Sequence, residues 1–144
     1  MPMYQCMSPA GTLSDSVRAE IVHEITRIHC TNTGAPTSFV HVVLLELPAG
    51  AHYTDNKLDP RTSIINCHVR AGRTIETRQK IMKEISAAWS RLTGQPESQL
   101  VINLSEVDPR TVMEFGLVLP APGGEDAWMK ENAAALASAQ SANA

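Results

Sequence analysis

The chain has 144 residues, 43% of them hydrophobic, with 12 Lys and Arg against 15 Asp and Glu for a net charge of -3; such totals suit one globular domain with a real core. A pI near 5.9 and only 4% aromatic residues leave neither the basic field nor the stacking rings that nucleic-acid binding uses, so no nucleic-acid partner is expected. Met1–Gly11 has no basic start and no long apolar centre, and no apolar run approaches membrane length, so no membrane partner is expected and a cytoplasmic location is the default.

In chain order, Pro2–Ser8 alternates weakly and predicts a short first strand. Ser14 is a good N-cap with Asp15 in the first turn, and Val17, Ile21, Ile25, Ile28 and His29 follow helical spacing along one face. Gly34 and Pro36 close that helix, and Phe39–Leu47 follows as a strand that is apolar on both faces. Pro48–Pro60 is turn-rich and borders two halves. Ile64–Arg70 then predicts a strand, Thr74 caps a helix carrying Ile81, Ile85, Trp89 and Leu92 inward, and Gln99–Leu104 predicts another strand. Beyond it, Asp108-Pro109 starts a turn, Thr111–Phe115 suggests one helical turn and Leu117–Leu119 a short strand. The Ala/Ser/Asn-rich stretch from Ala133 has little to bury and predicts a disordered tail over 133–144.

The two halves are copies. Ser14–Glu46 returns as Thr74–Glu106, sixty residues on and without a gap, and ten of the 33 paired positions are identical, Arg18/Arg78, Thr33/Thr93, Gly34/Gly94, Pro36/Pro96 and Glu46/Glu106 among them. The expected fold is therefore α/β (α+β): two tandem β-α-β units making a four-stranded mixed sheet with two helices on one face. It forms a single domain over 1–132, with halves at about 1–49 and 60–107 and a C-terminal segment at 108–132. Two helices cover one sheet face only, so the doubly apolar Phe39–Leu47 implies self-association through the other.

Differences between the copies point to chemistry. Arg70 and Arg73 stand at the second strand-to-helix junction where the first half has Ala10 and Leu13. Two guanidiniums at that spacing form a fork for a carboxylate, or pair with an acid on the surface. His29 takes the position of Trp89, and Asn103 that of Val43. Glu114 is flanked by apolar residues, surroundings that favour a base. Removal of Met1, which a small second residue favours, would leave Pro2 as a secondary amine able to exchange protons near neutral pH. Cys6, Cys30 and Cys67 are odd in number and form no Cys-x-x-Cys pair, and Glu20-x-x-His23 occurs once on a polar face; reduced thiols and no metal are expected.

Jointly these residues resemble the tautomerase superfamily, and within it the cis-3-chloroacrylic acid dehalogenase-like group. The resemblance runs from Met1-Pro2-x-Tyr4 through the Ala-Gly-Arg-Thr around Arg73 to Met113-Glu114-Phe115-Gly116 and Leu119-Pro120-x-Pro122-Gly123. It implies a homotrimer of duplicated β-α-β units that needs no cofactor. It implies Pro2 as the proton-transferring amine, Glu114 as the base that activates water, and Arg70, Arg73 and His29 as substrate-binding residues. Asn103 aligns with a tyrosine that positions the water. The expected activity is hydration or hydrolytic dehalogenation of small unsaturated carboxylic acids. Keto–enol tautomerisation of enol acids, and a non-catalytic trimeric binding protein, are the alternatives.

Overall fold

The computed structural model describes residues 1–142. Strand β1 (Met3–Pro9) leads into α1 (Asp15–Thr33) and β2 (His41–Leu47); a small hairpin, β3 (Tyr53–Thr54) and β4 (Lys57–Leu58), then reaches β5 (Ser63–Arg70), α2 (Ile75–Thr93) and β6 (Leu100–Val107). The sheet order is β2-β1-β5-β6, with β1 parallel to β2, β5 parallel to β6, and β1 antiparallel to β5. Each parallel pair is one β-α-β unit, and the antiparallel seam joins the copies back to back.

Local chemistry explains why the copies match. The Ser14 and Thr74 hydroxyls accept the backbone N–H of Val17 and Thr77 at 3.3 and 3.2 Å. Both 19-residue helices end on a left-handed glycine, Gly34 at φ 73° and Gly94 at φ 74°, a conformation that side chains resist. Arg18 reaches Glu46 at 2.5 Å and its twin Arg78 reaches Glu106 at 3.4 Å, tying each helix to the strand that follows it. Ile21, Ile25 and Ile28 of α1, with Ile81, Ile85 and Trp89 of α2, pack on Tyr4, Cys6, Ile65 and Cys67 of the inner strands. Fully burying one such aliphatic side chain contributes about 1.5–3 kcal/mol.

The opposite sheet face stays open. Val43, Leu45 and Val101 are 38%, 47% and 53% exposed, an apolar stripe without cover in one protomer. Among the described residues, the C-terminal segment reaches one end of it, where Ala139 and Ala142 lie near Met3 and His41.

That segment differs from expectation. In place of a helical turn over Thr111–Phe115, a single 3-10 turn covers Pro109–Thr111 and a hairpin follows, β7 (Met113–Glu114) paired with β8 (Leu117–Val118). Both loop residues, Phe115 at φ 54° and Gly116 at φ 77°, are left-handed, as a two-residue hairpin of type I′ requires. Two helices close the chain, α3 (Glu125–Glu131) and α4 (Ala133–Ala142). The predicted disorder is thus corrected over 133–142, while 143–144 lie outside the described residues. Alanine has the best helix propensity, and Leu136, 4% exposed, anchors α4 in a second small core with Phe39 and Leu119. Among the described residues no helix is long and apolar enough to cross a membrane.

One polar pair lies inside the main core. The Tyr4 hydroxyl meets His29 Nδ1 at 2.7 Å. Burial, with the Arg73 guanidinium and the terminal amine pushing the same way, lowers the His29 pKa to about 4. Near neutral pH the ring is uncharged in the folded and the unfolded chain alike. Between pH 6.5 and about 4 the unfolded chain alone takes up this proton, so stability falls as pH falls through that window. The expected loss is on the order of 3 kcal/mol. Asp59 and Asp108, lowered to about 2 by hydrogen bonds, act below that window. Urea unfolding across pH 4–7 should show the loss in wild type and a flatter profile in His29→Gln; an equal slope in both contradicts it.

Candidate active site

The site sits at the end of the sheet where β1 starts and β5 finishes. In the structure the terminal amine belongs to Met1, and Pro2, fully buried, carries an amide nitrogen. The Met1 amine donates to the Phe39 carbonyl at 3.0 Å and to one carboxylate oxygen of Glu114. Burial lowers the pKa of this amine below its ordinary value, the Glu114 carboxylate pulls it back up, and Arg70 pushes it down.

Glu114 is held from a second side. Its other oxygen meets His41 Nε2 at 2.7 Å, and its side chain is 10% exposed. Two features aim it. The type I′ loop places Phe115 in an unfavourable left-handed conformation, retained because its ring packs edge-on against Phe39 at a centroid distance of 5.3 Å. Backbone pairing of β1 and β2 puts His41 opposite Met3, and the His41 N–H donates to the Pro2 carbonyl at 3.0 Å. His41 therefore fixes both the start of the chain and the acid. The scattered histidines of the sequence give no hint of this, since it needs strand register.

On the far side of Met1 lie the arginines. Met1, His29, Arg70 and Arg73 line one small cavity of about 30 Å³. The buried Tyr4 hydroxyl shares a hydrogen bond with His29 Nδ1 at 2.7 Å, and with Tyr4 as the donor the neutral ring carries its proton on Nε2. Arg70 is tethered: a terminal nitrogen donates to the Pro120 and Ala121 carbonyls at 2.5 and 3.1 Å and lies 3.2 Å from Glu125. Its Nε is buried without a partner. Arg73 has no carboxylate partner among the described residues. Arg78 also lines this cavity, with its Nε buried and unpaired, although its identity with Arg18 suggests only the shared helix-to-strand tie.

Met1 is shared by two larger cavities. It lines a cavity of about 700 Å³ in front of Arg70 and Arg73, and also one of about 560 Å³ that holds His41 and Glu114. Pro2, Glu114, Arg70, Arg73 and His29 thus converge around the chain start. Asn103 does not. It sits exposed on the open sheet face, opposite Asn66 on β5.

The second copy does not repeat the site. A hollow of about 400 Å³ lies at the matching place, lined by Arg61 in the place of Met1 and by Thr93, Gly94, Gln95, Pro96 and Gln99. Gln95 is pinned in its wall: its amide donates to the Arg61 and Gln99 carbonyls at 2.6 and 2.9 Å, and its oxygen accepts from the Trp89 indole at 2.7 Å. With Trp89 in the position of His29 and Ala10 and Leu13 in those of the arginines, this half does not repeat that cluster of side chains.

The family model Tautomerase_3, described as "Putative oxalocrotonate tautomerase enzyme", matches residues 1–133. No curated protein matches the chain. The solved structure of N1, a member of the cis-3-chloroacrylic acid dehalogenase (cis-CaaD) family, is 26% identical with a TM-score of 0.84, over 89% of this chain and 90% of that one. Native Ps01740 is 34% identical with a TM-score of 0.75, over 78% of this chain and 99% of that one. A fused 4-OT asymmetric trimer, 20% identical with a TM-score of 0.74 over 81% of this chain and 94% of that one, shares the fold. With its duplicated β-α-β units, its mixed four-stranded sheet and a family match over residues 1–133, the chain belongs to the tautomerase superfamily.

Proposed function

We propose that the protein, once Met1 is removed, is a cofactor-independent enzyme in which Pro2 transfers a proton to or from a small unsaturated or enolisable carboxylic acid. One observation carries the reading: among the described residues Met1 is the one that lines both the cavity of Arg70 and Arg73 and the cavity of His41 and Glu114. Its removal would join the two and leave a secondary amine at their junction. The arginines then hold the substrate carboxylate, and neutral His29 donates a hydrogen bond from Nε2.

The leading reaction is water addition to a 3-haloacrylate. Glu114 takes a proton from a water whose oxygen attacks the β-carbon, and the cationic Pro2 amine protonates the α-carbon. The halohydrin so formed loses halide as its hydroxyl proton leaves, giving an aldehyde. His41 acts as a positioning residue in this scheme, because its ring holds the carboxylate that must meet the water. Supporting context comes from N1, which is named for the cis-CaaD family.

Asn103 favours a second reaction. An amide orients a water less effectively than an acidic hydroxyl, whereas keto–enol tautomerisation needs no such water. We place Asn103 in a neighbour's site through a homotrimer joined by the open sheet face, a reading supported by the exposed Val43, Leu45 and Val101 and by the trimeric assembly named for fused 4-OT.

Two tests follow, both on protein shown by mass to lack Met1. Arg73→Ala and Arg70→Ala should each lower kcat/KM for a carboxylate substrate roughly ten- to a hundredfold, the loss of a charge-assisted contact of about 1.5–3 kcal/mol. Arg18→Ala, whose tie to Glu46 lies in the other half, should change kcat/KM little; an equal loss there would show the clamp to be misplaced. His41→Ala should cut kcat for halide release from cis-3-chloroacrylate at least tenfold with KM within about threefold, spare ketonisation of an enol acid, and be partly rescued by His41→Gln. Equal losses in both reactions contradict its role.

A further inference from the structure

The cavity in front of the arginines is far larger than the acids considered above. It holds about 700 Å³, whereas a three-carbon acid displaces roughly four or five waters of about 30 Å³ each. Pockets of several hundred cubic ångströms accommodate ligands with a ring or a long apolar chain.

Its outer wall is an organised one. Trp128 donates its indole N–H to the Val118 carbonyl at 3.0 Å and packs edge-on against Phe39 at a centroid distance of 6.4 Å. Phe39 packs in turn on Phe115, and buried Leu119 and Leu136 back the group. Met129 and Leu119 complete an apolar surface beside Trp128. The same cavity is lined by Glu125 and Asp126, and Glu125 already lies 3.2 Å from Arg70. Of the two arginines, one is offset by Glu125, so Arg73 is the one left without a carboxylate partner for an incoming acid. A second carboxylate would meet Glu125 and Asp126 with no arginine to match it, a like-charge arrangement that costs binding.

We infer, on the reading that Arg70 and Arg73 hold a carboxylate, that the substrate is a monocarboxylic acid bearing an uncharged, ring-sized apolar tail seated against Phe39, Leu119, Trp128 and Met129. The tail supplies binding energy away from the reacting carbons, and the acids on α3 exclude dicarboxylates.

The test is calorimetric binding of inert saturated ligands to Met1-free protein, which reads the ligand class without requiring turnover. 3-Phenylpropionate should bind about 30- to 100-fold tighter than propionate, the gain expected from burying one ring, and adipate no tighter than propionate. Trp128→Ala should remove most of that gain and leave propionate unchanged. Met129→Ala carries the same comparison with a smaller effect should the tryptophan variant unfold α3. Arg73→Ala should weaken both monocarboxylates by a similar factor. Equal binding of propionate and 3-phenylpropionate, or adipate binding as tightly as 3-phenylpropionate, overturns the inference and leaves the carboxylate clamp standing. If 3-phenylpropanol binds as tightly as the acid, the carboxylate reading fails, and the monocarboxylate assignment falls with it.

Discussion

A half-buried amine, that of Met1 just ahead of β1, is the constraint around which the rest is arranged. An amine taken from water needs acceptors, and here they are the Phe39 carbonyl and the Glu114 carboxylate. Each acceptor is supplied by a separate device. Phe39 ends the 3-10 turn before β2, and Glu114 stands at the edge of a hairpin whose strained loop is held by an aromatic contact. His41 joins them, with its backbone on Pro2 and its ring on Glu114. Since one residue holds both the chain start and the acid, the strand pairing of β1 and β2 is itself part of the site's geometry.

Duplication built the scaffold, and divergence left one site in it. Both copies keep the helix caps, the Arg–Glu tie and the Thr-Gly-x-Pro turn, which are the parts that folding needs. The second copy places Trp89 and Gln95 where the first keeps a histidine and an open turn; the Trp89 indole donates to Gln95, whose amide donates to the Arg61 and Gln99 carbonyls at the wall of the hollow. A chain start cannot be duplicated inside a chain, so Arg61 and Thr62 are internal where Met1 and Pro2 begin.

Much of this was legible in the residues, and the remainder failed for identifiable reasons. Helical spacing and the sixty-residue register locate both helices and all four sheet strands, because amphipathic periodicity is local. Arg70, Arg73 and His29 stand out because their repeat partners are apolar. The hairpin around Glu114 is hidden, since its loop needs a left-handed Phe115, which no turn rule favours. His41 is invisible without the register of β1 on β2. Arg78 looks structural through its identity with Arg18, yet it also lines the cavity. The Ala-rich end reads as having little to bury, and one leucine, Leu136, suffices to dock a helix of good propensity. Asn103 aligns with a site residue by resemblance, yet within one protomer it lies on the open sheet face, where only assembly could bring it to a site.

The account stands or falls on where an acid lies relative to the freed Pro2 nitrogen. A crystal structure of Met1-free protein with 3-chloropropionate, a saturated and unreactive analogue, measures that directly. The expected result has the carboxylate on Arg73 and the Arg70 Nε, the α-carbon about 3–3.5 Å from the prolyl nitrogen, and a water between the β-carbon and Glu114, as a reactive geometry requires. An acid bound away from the arginines, or held there with its α-carbon beyond reach of the proline, would contradict it.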